Sequence, residues 1–118
     1  MKMMLQTLLA LVAALMFSSA YAECIIPETV SVPDGATATE EEMLAGQKRV
    51  KQYNANVDAY LTCLDAEAAT IGEEQTDEQR ATHLQMYNAG VDAEESIAAQ
   101  FNTEIQAWKK AGEPEVAP

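Results

Sequence analysis

The stretch that decides the fold is TEEEMLAGQKRVKQYNANVDAYLTCLDAEAATI, residues 39–71. It opens with Thr39-Glu40-Glu41-Glu42, a capping box: the Thr39 hydroxyl accepts from the backbone of the first turn and Glu42 reaches back to the Thr39 amide. Apolar side chains then recur every seven residues, at Met43, Val50, Val57, Leu64 and Ile71. Tyr53 and Tyr60 hold the intermediate positions, and Leu61 and Ala68 widen the stripe. This is the seam of a long helix packed against another. Gly72 follows at once and is placed to end the helix.

A four-residue link, Gly72–Gln75, leads to a second capping box, Thr76-Asp77-Glu78-Gln79. Beyond it Leu84, Val91, Ala98 and Ile105 share one heptad position, and Tyr87, Glu94, Phe101 and Trp108 the other. Lys109 and Lys110 close the segment, where cations complement the negative end of the helix dipole. The pattern predicts helices over about 39–71 and 77–110, each roughly 50 Å long. Equal lengths and a short link demand an antiparallel αα-hairpin over 39–111. Folding about the link pairs Leu64 with Leu84, Val57 with Val91, Val50 with Ala98 and Met43 with Ile105. The same register brings Tyr60 near Tyr87, Gly46 near Phe101 and Tyr53 near Glu94. The expected class is all-α: a coiled-coil-like two-helix hairpin.

Such a hairpin buries one stripe of each helix, so its seam needs a cover. Residues 23–38 are the candidate: Pro27, Pro33 and Gly35 among Ile25, Ile26, Val30 and Val32 suit an extended arm with a turn at Pro33-Asp34-Gly35. Cys63 lies about 36 Å along the first helix at 1.5 Å per residue. The arm from Cys24 to Thr39 reaches roughly 50 Å when extended. It can therefore run back along the helix and set Cys24 beside Cys63, its only possible intramolecular partner. Ile25, Ile26, Val30 and Val32 would then lie over the hairpin, and a homodimer through the remaining stripe is the alternative or additional cover. Residues 112–118, with two prolines, read as a flexible tail.

The first 22 residues explain why that cysteine pair should be oxidised. Lys2, the apolar run Leu5–Phe17 and Ala20-Tyr21-Ala22 are the three parts of a cleavable signal peptide, with the cut between Ala22 and Glu23. Glu23 directly before Cys24 is a poor match to the small residue that lipoprotein processing expects, so the product reads as free of a lipid anchor. Export to the periplasm of a bacterium or beyond it is expected, and in an oxidising compartment the pair should bridge. No later run approaches the ~20 apolar residues of a membrane span. After cleavage six Lys and Arg face nineteen Asp and Glu, a net charge of −13. Nucleic acid and anionic membrane are excluded as partners by this charge, while cationic proteins, peptides or metal ions are attracted.

Reactive groups are sparse. His83 is the only histidine and reads as a flank residue beside the seam; Ser31 and Ser96, the only serines after the cleavage site, lack any nucleophile motif. Cysteines 39 apart are unlike a catalytic Cys-x-x-Cys. Glu73, Glu74, Asp77 and Glu78 crowd the link without the alternating oxygens of a calcium loop. No catalytic residue, cofactor or metal site is expected. Tyr53, Tyr60 and Tyr87 at heptad spacing read as core with hydroxyls at the rim, and the same stripe could line a groove for a peptide or lipid-like ligand. Glu94 is an acid on the seam, which a Tyr53 hydroxyl would satisfy and which could fix register or partner choice.

The order Cys24-x-x-Pro27, Pro33-Asp34-Gly35, Thr39-x-x-Glu42-Met43 and Tyr60-x-x-Cys63-Leu64 resembles small exported proteins of unknown function in proteobacteria. The resemblance covers about residues 24–64 and implies the bacterial envelope and the arm-to-helix disulfide, with no activity. The expectation is a non-enzymatic interaction or structural module acting on a protein partner. The rivals are an antagonist of a cationic enzyme or peptide, and a binder of a lipid-like ligand or a metal.

Overall fold

The computed structural model describes residues 23–112, so the expected signal peptide and all but the first residue of the expected tail lie outside the described residues. Two long helices dominate: α1, Glu40–Ile71, and α2, Asp77–Gly112, joined through a single 3₁₀ turn at Gly72–Glu74. They pack antiparallel as a hairpin, with an extended segment before α1 and no strand among the described residues. None of these helices is long and apolar enough to cross a membrane.

Both capping boxes form. The Glu42 amide donates to the Thr39 hydroxyl at 3.2 Å and the Thr39 amide donates to the Glu42 carboxylate at 2.8 Å. The Gln79 amide donates to the Thr76 hydroxyl at 3.1 Å, and the Thr76 amide to the Gln79 side chain at 2.8 Å. These bonds satisfy amide groups that a helix start leaves without partners. Gly72 ends α1 at φ +63°, a conformation that a side chain would strain, with its amide donating to the Ala68 carbonyl. At the far end α2 runs two residues past its expected limit and takes in Gly112.

The α1 seam is buried from Met43 through Gly46, Val50, Tyr53, Val57 and Tyr60 to Leu64. Its partner face on α2 is rotated by one residue from the expected one. Gly90, Ile97 and Phe101 are buried, whereas Leu84 is 59% exposed. The heptad position written as Leu84, Val91, Ala98 and Ile105 therefore yields the seam to His83, Gly90, Ile97 and Glu104, one place earlier. Steric fit is the reason: a Cβ on Gly90 would stand 3.1 Å from the Tyr60 ring and 2.9 Å from Leu61. Only a residue without a side chain can face that ring, so Gly90 takes the close contact and Val91 turns aside. The Gly46 and Phe101 approach is as expected, with a Cβ on Gly46 coming 3.3 Å from the Phe101 ring.

The arm is the third layer. Cys24 and Cys63 form a disulfide with their Cα atoms 5.8 Å apart, tying the segment before α1 to its middle. From there the chain runs along α1 to a turn in which the Asp34 carbonyl accepts from the Thr37 and Ala38 amides. The Asp34 carboxylate accepts from the Ala36 amide at 3.0 Å. Pro33 lies on Gly46, where a Cβ would come within 2.6 Å of the proline ring. Nine arm residues thus match seventeen residues of helix, roughly 25 Å at 1.5 Å per residue. That is about 2.8 Å per arm residue, close to the rise of polyproline II. Gly35 meets the other helix: its amide donates to the Glu104 carboxylate at 2.7 Å, and a Cβ there would overlap the Glu104 carbonyl. Val30 and Val32 pack on the core with Ala38, Ile105 and Trp108. Ile25 and Ile26, expected in the same layer, are 77% and 41% exposed. Beside the disulfide the groove is already filled by Tyr60, Leu64, Met86 and Tyr87, which leaves the isoleucines outside.

Candidate functional site

The strap stops at Cys24–Cys63, but the hairpin does not. Past the disulfide, α1 continues from Leu64 to Ile71 and α2 begins, and no other segment of the described residues is laid across the groove between them. The result is an open-sided cleft of about 420 Å³ at the linked end. Leu64, Ala68, Ile71 and Met86 supply its apolar lining, and Glu67 and Glu78 its acidic edge. Leu64 is 1% exposed and forms the floor, whereas Ile71, expected on the buried seam, is 40% exposed. Its heptad position is right; the cover that would bury it ends two turns earlier.

Electrostatics at this end are one-sided. Asp65, Glu67, Glu73, Glu74, Asp77 and Glu78 fall within α1's last two turns, the link and α2's first turn. Arg80 is tied up locally, pairing with Asp77 and donating to the Gln75 carbonyl at 3.0 Å. His83 joins the helices, its Nε2 3.3 Å from an Asp65 carboxylate oxygen and its ring 6.1 Å from that of Tyr87. It is a seam residue on the wall of the cleft and not merely a flank. Ser96 lies outside the cleft and accepts from Gln100 on the same helix at 3.2 Å.

Glu67 marks the border between the covered and bare halves. Its carboxylate and the two sulfurs lie within 4.8 Å of one another. Among the described residues this is the one grouping of three residues that could ligate a metal, and both thiols are consumed by the disulfide. The link carboxylates form no comparable grouping among those residues. Burial, with a smaller push from the Glu67 charge, raises the Tyr60 hydroxyl above the ordinary tyrosine range. That hydroxyl donates to the Met86 carbonyl at 3.4 Å, across the seam.

The tyrosine stripe is core at the positions expected to be aromatic. Tyr53 is 2% exposed and Tyr60 6%, so neither ring is offered to a ligand in this conformation; Tyr87 is half-buried against Tyr60 and Leu64. Glu94 is half-buried and makes no hydrogen bond to Tyr53 among the described residues. Burial first, then the charges of Asp58 across the seam and Glu95 beside it, raise its pKa. Of the features that matter, Gly90 was legible as a glycine in mid-helix, which costs about 1 kcal/mol against alanine and so signals a close approach. Glu104 as the acceptor for Gly35 carried no signal, because the contact spans 69 residues.

Fold and site together define a disulfide-strapped, acidic αα-hairpin with an uncovered linked end. No protein-family model, no curated protein and no solved structure matches the chain.

Proposed function

We propose that the chain is a non-enzymatic interaction module of the bacterial periplasm or of the secreted fraction, delivered by cleavage between Ala22 and Glu23. One observation carries the reading: the strap covers the seam only as far as Cys63, leaving apolar side chains in an open cleft at the linked end of the hairpin. Apolar surface gathered in one groove and rimmed by charge is the usual mark of a docking place. The disulfide suits an oxidising compartment, and so does the resemblance of residues 24–64 to small exported proteobacterial proteins.

A second reading, a charge-led antagonist of a cationic enzyme or peptide, is favoured by the −13 net charge of the cleaved chain, six basic against nineteen acidic residues. Salt separates the two. The cleaved, oxidised protein is immobilised and washed with rising salt after exposure to an envelope extract of its own host. A docking module keeps a defined partner through about 0.5 M salt, where charges more than a few ångströms apart are screened. A charge-led antagonist releases it. Retention of no defined protein at any salt would sink the module reading.

A further inference from the structure

We infer that the cleft at the linked end docks a cationic amphipathic helix, about two turns of which complete a local three-helix packing. This rests on the module reading and names the partner's chemistry. Shape points to a helix. Two antiparallel helices leave a trough, and over Gly46–Leu64 the arm fills it; over Leu64–Ile71 none of the described residues does. That bare length is roughly 10 Å at 1.5 Å per residue, which two helical turns span. An open-sided cleft of about 420 Å³ takes the apolar side chains of such a helix at i and i+3 or i+4, the helix-in-groove mode of recognition.

Charge selects the sign. Six carboxylates lie on the segments that form this end, two of them lining the cleft, and the nearby basic side chains are engaged: Arg80 by Asp77 and the Gln75 carbonyl, His83 by Asp65. Glu67 and Glu78 line it on opposite helices, placing acid on both edges of an apolar floor. A helix with Leu or Ile on one face and Lys or Arg flanking it meets the apolar floor and both of these acidic edges. A second copy of this chain that docks linked end to linked end brings the same negative charge and is repelled.

The test uses the oxidised protein beginning at Glu23 and a fluorescent synthetic 14-residue helix with leucines at heptad seam positions and lysines beside them. A twin peptide has every lysine replaced by glutamate. Anisotropy at about 50 mM salt should show the lysine peptide binding at least tenfold more tightly than its twin. Ile71→Asp should weaken the lysine peptide tenfold or more, while Leu44→Asp, at an exposed leucine near the other end, leaves it unchanged. Glu67→Lys with Glu78→Lys should invert the preference between the two peptides. Circular dichroism and the intact disulfide show that each variant is folded. The assignment is overturned if both peptides bind alike, if Ile71→Asp and the charge swap change nothing, or if sedimentation shows a wild-type dimer that Ile71→Asp dissolves. The two proposals fail separately. An envelope partner whose capture survives Ile71→Asp leaves the module standing without this cleft; peptide selectivity without any envelope partner leaves the cleft and removes the module.

Discussion

Along one pair of helices, the strapped half and the linked end solve the same packing problem differently. Between Gly46 and Leu64 the groove is closed by Pro33, Val32, Val30 and Cys24, and Tyr53, Val57 and Leu64 are at most 2% exposed. Past the disulfide the same heptad continues to Ile71, which is 40% exposed. Helix capping is as good at one end as at the other, since both capping boxes form. The difference lies in the third layer alone. A two-helix interface buries one stripe per helix, and a strand-width arm is enough to finish it; without the arm, apolar side chains remain available to another molecule.

The largest effect should come from cutting the strap. Closing a 39-residue separation is worth about 4 kcal/mol in the chain-entropy model, a large share of a small domain's stability. Cys24→Ser with Cys63→Ser should therefore lower the stability from chemical denaturation by roughly that amount. Hydrogen exchange sharpens the comparison: with the bridge intact, amides of Val50–Leu64 should outlast those of Ala66–Ile71, and without it the gap should narrow. Equal protection in the oxidised protein would mean that the arm is no cover. Next in size, Leu64→Ala should cost about 2–5 kcal/mol, as for a buried leucine, whereas Ile71→Ala, seven residues on, should cost under about 1 kcal/mol. Similar losses at both would erase the distinction between the halves.

Gly35 tests how firmly the arm's turn is seated. Its amide donates to Glu104 at 2.7 Å, and a methyl group there would meet the Glu104 carbonyl and come within 2.9 Å of the Trp108 amide, both backbone atoms of a helix. They cannot rotate away as a side chain would. Gly35→Ala should cost about 1–3 kcal/mol through overpacking and the lost bond. Its exchange effects should stay in the strapped half and leave Ala66–Ile71 unchanged. An alanine tolerated without loss would show that the turn rides loosely on α2.

How much of this was readable depended on how far apart the interacting residues were. Capping boxes, Gly72 and the α1 heptad are local signals, and each sits where its own few residues predict. The Cys24–Cys63 bridge spans 39 residues but is the only pairing two cysteines allow, and chain length sufficed to test it. The α2 face turned on a choice between Leu84 and His83, where apolarity misled. Leu84 is the more hydrophobic residue, yet steric fit at Gly90 against Tyr60 and Leu61 sets the rotation of the whole helix. The large-against-small rule that pairs Gly46 with Phe101 applies equally to Gly90 and would have moved the seam by one residue. The cleft was hidden for another reason: it is where the arm ends, and only Cys24's meeting with Cys63 fixes that place.

Glu94 gives the smallest and most specific test, because it is the one acid on the strapped seam whose charge the fold disfavours. Burial, then Asp58 on α1, then Glu95 hold its pKa above the ordinary 4.5. The folded chain therefore binds that proton more tightly than the unfolded chain does. The contribution to stability is fully present below about pH 4.5 and is lost as pH rises through the folded value. At neutral pH the ionised carboxylate is a cost, so Glu94→Gln should stabilise the protein slightly, within about 0.5 kcal/mol. Below pH 4.5 the two proteins should melt together, the difference opening only above that value. Asp58→Asn should shrink the same difference by removing the second cause, without touching Ile71 or the linked end. A Gln variant less stable than wild type at pH 7 would instead mean that the Glu94 carboxylate has a favourable partner, and the strapped half would hold a polar contact in its seam.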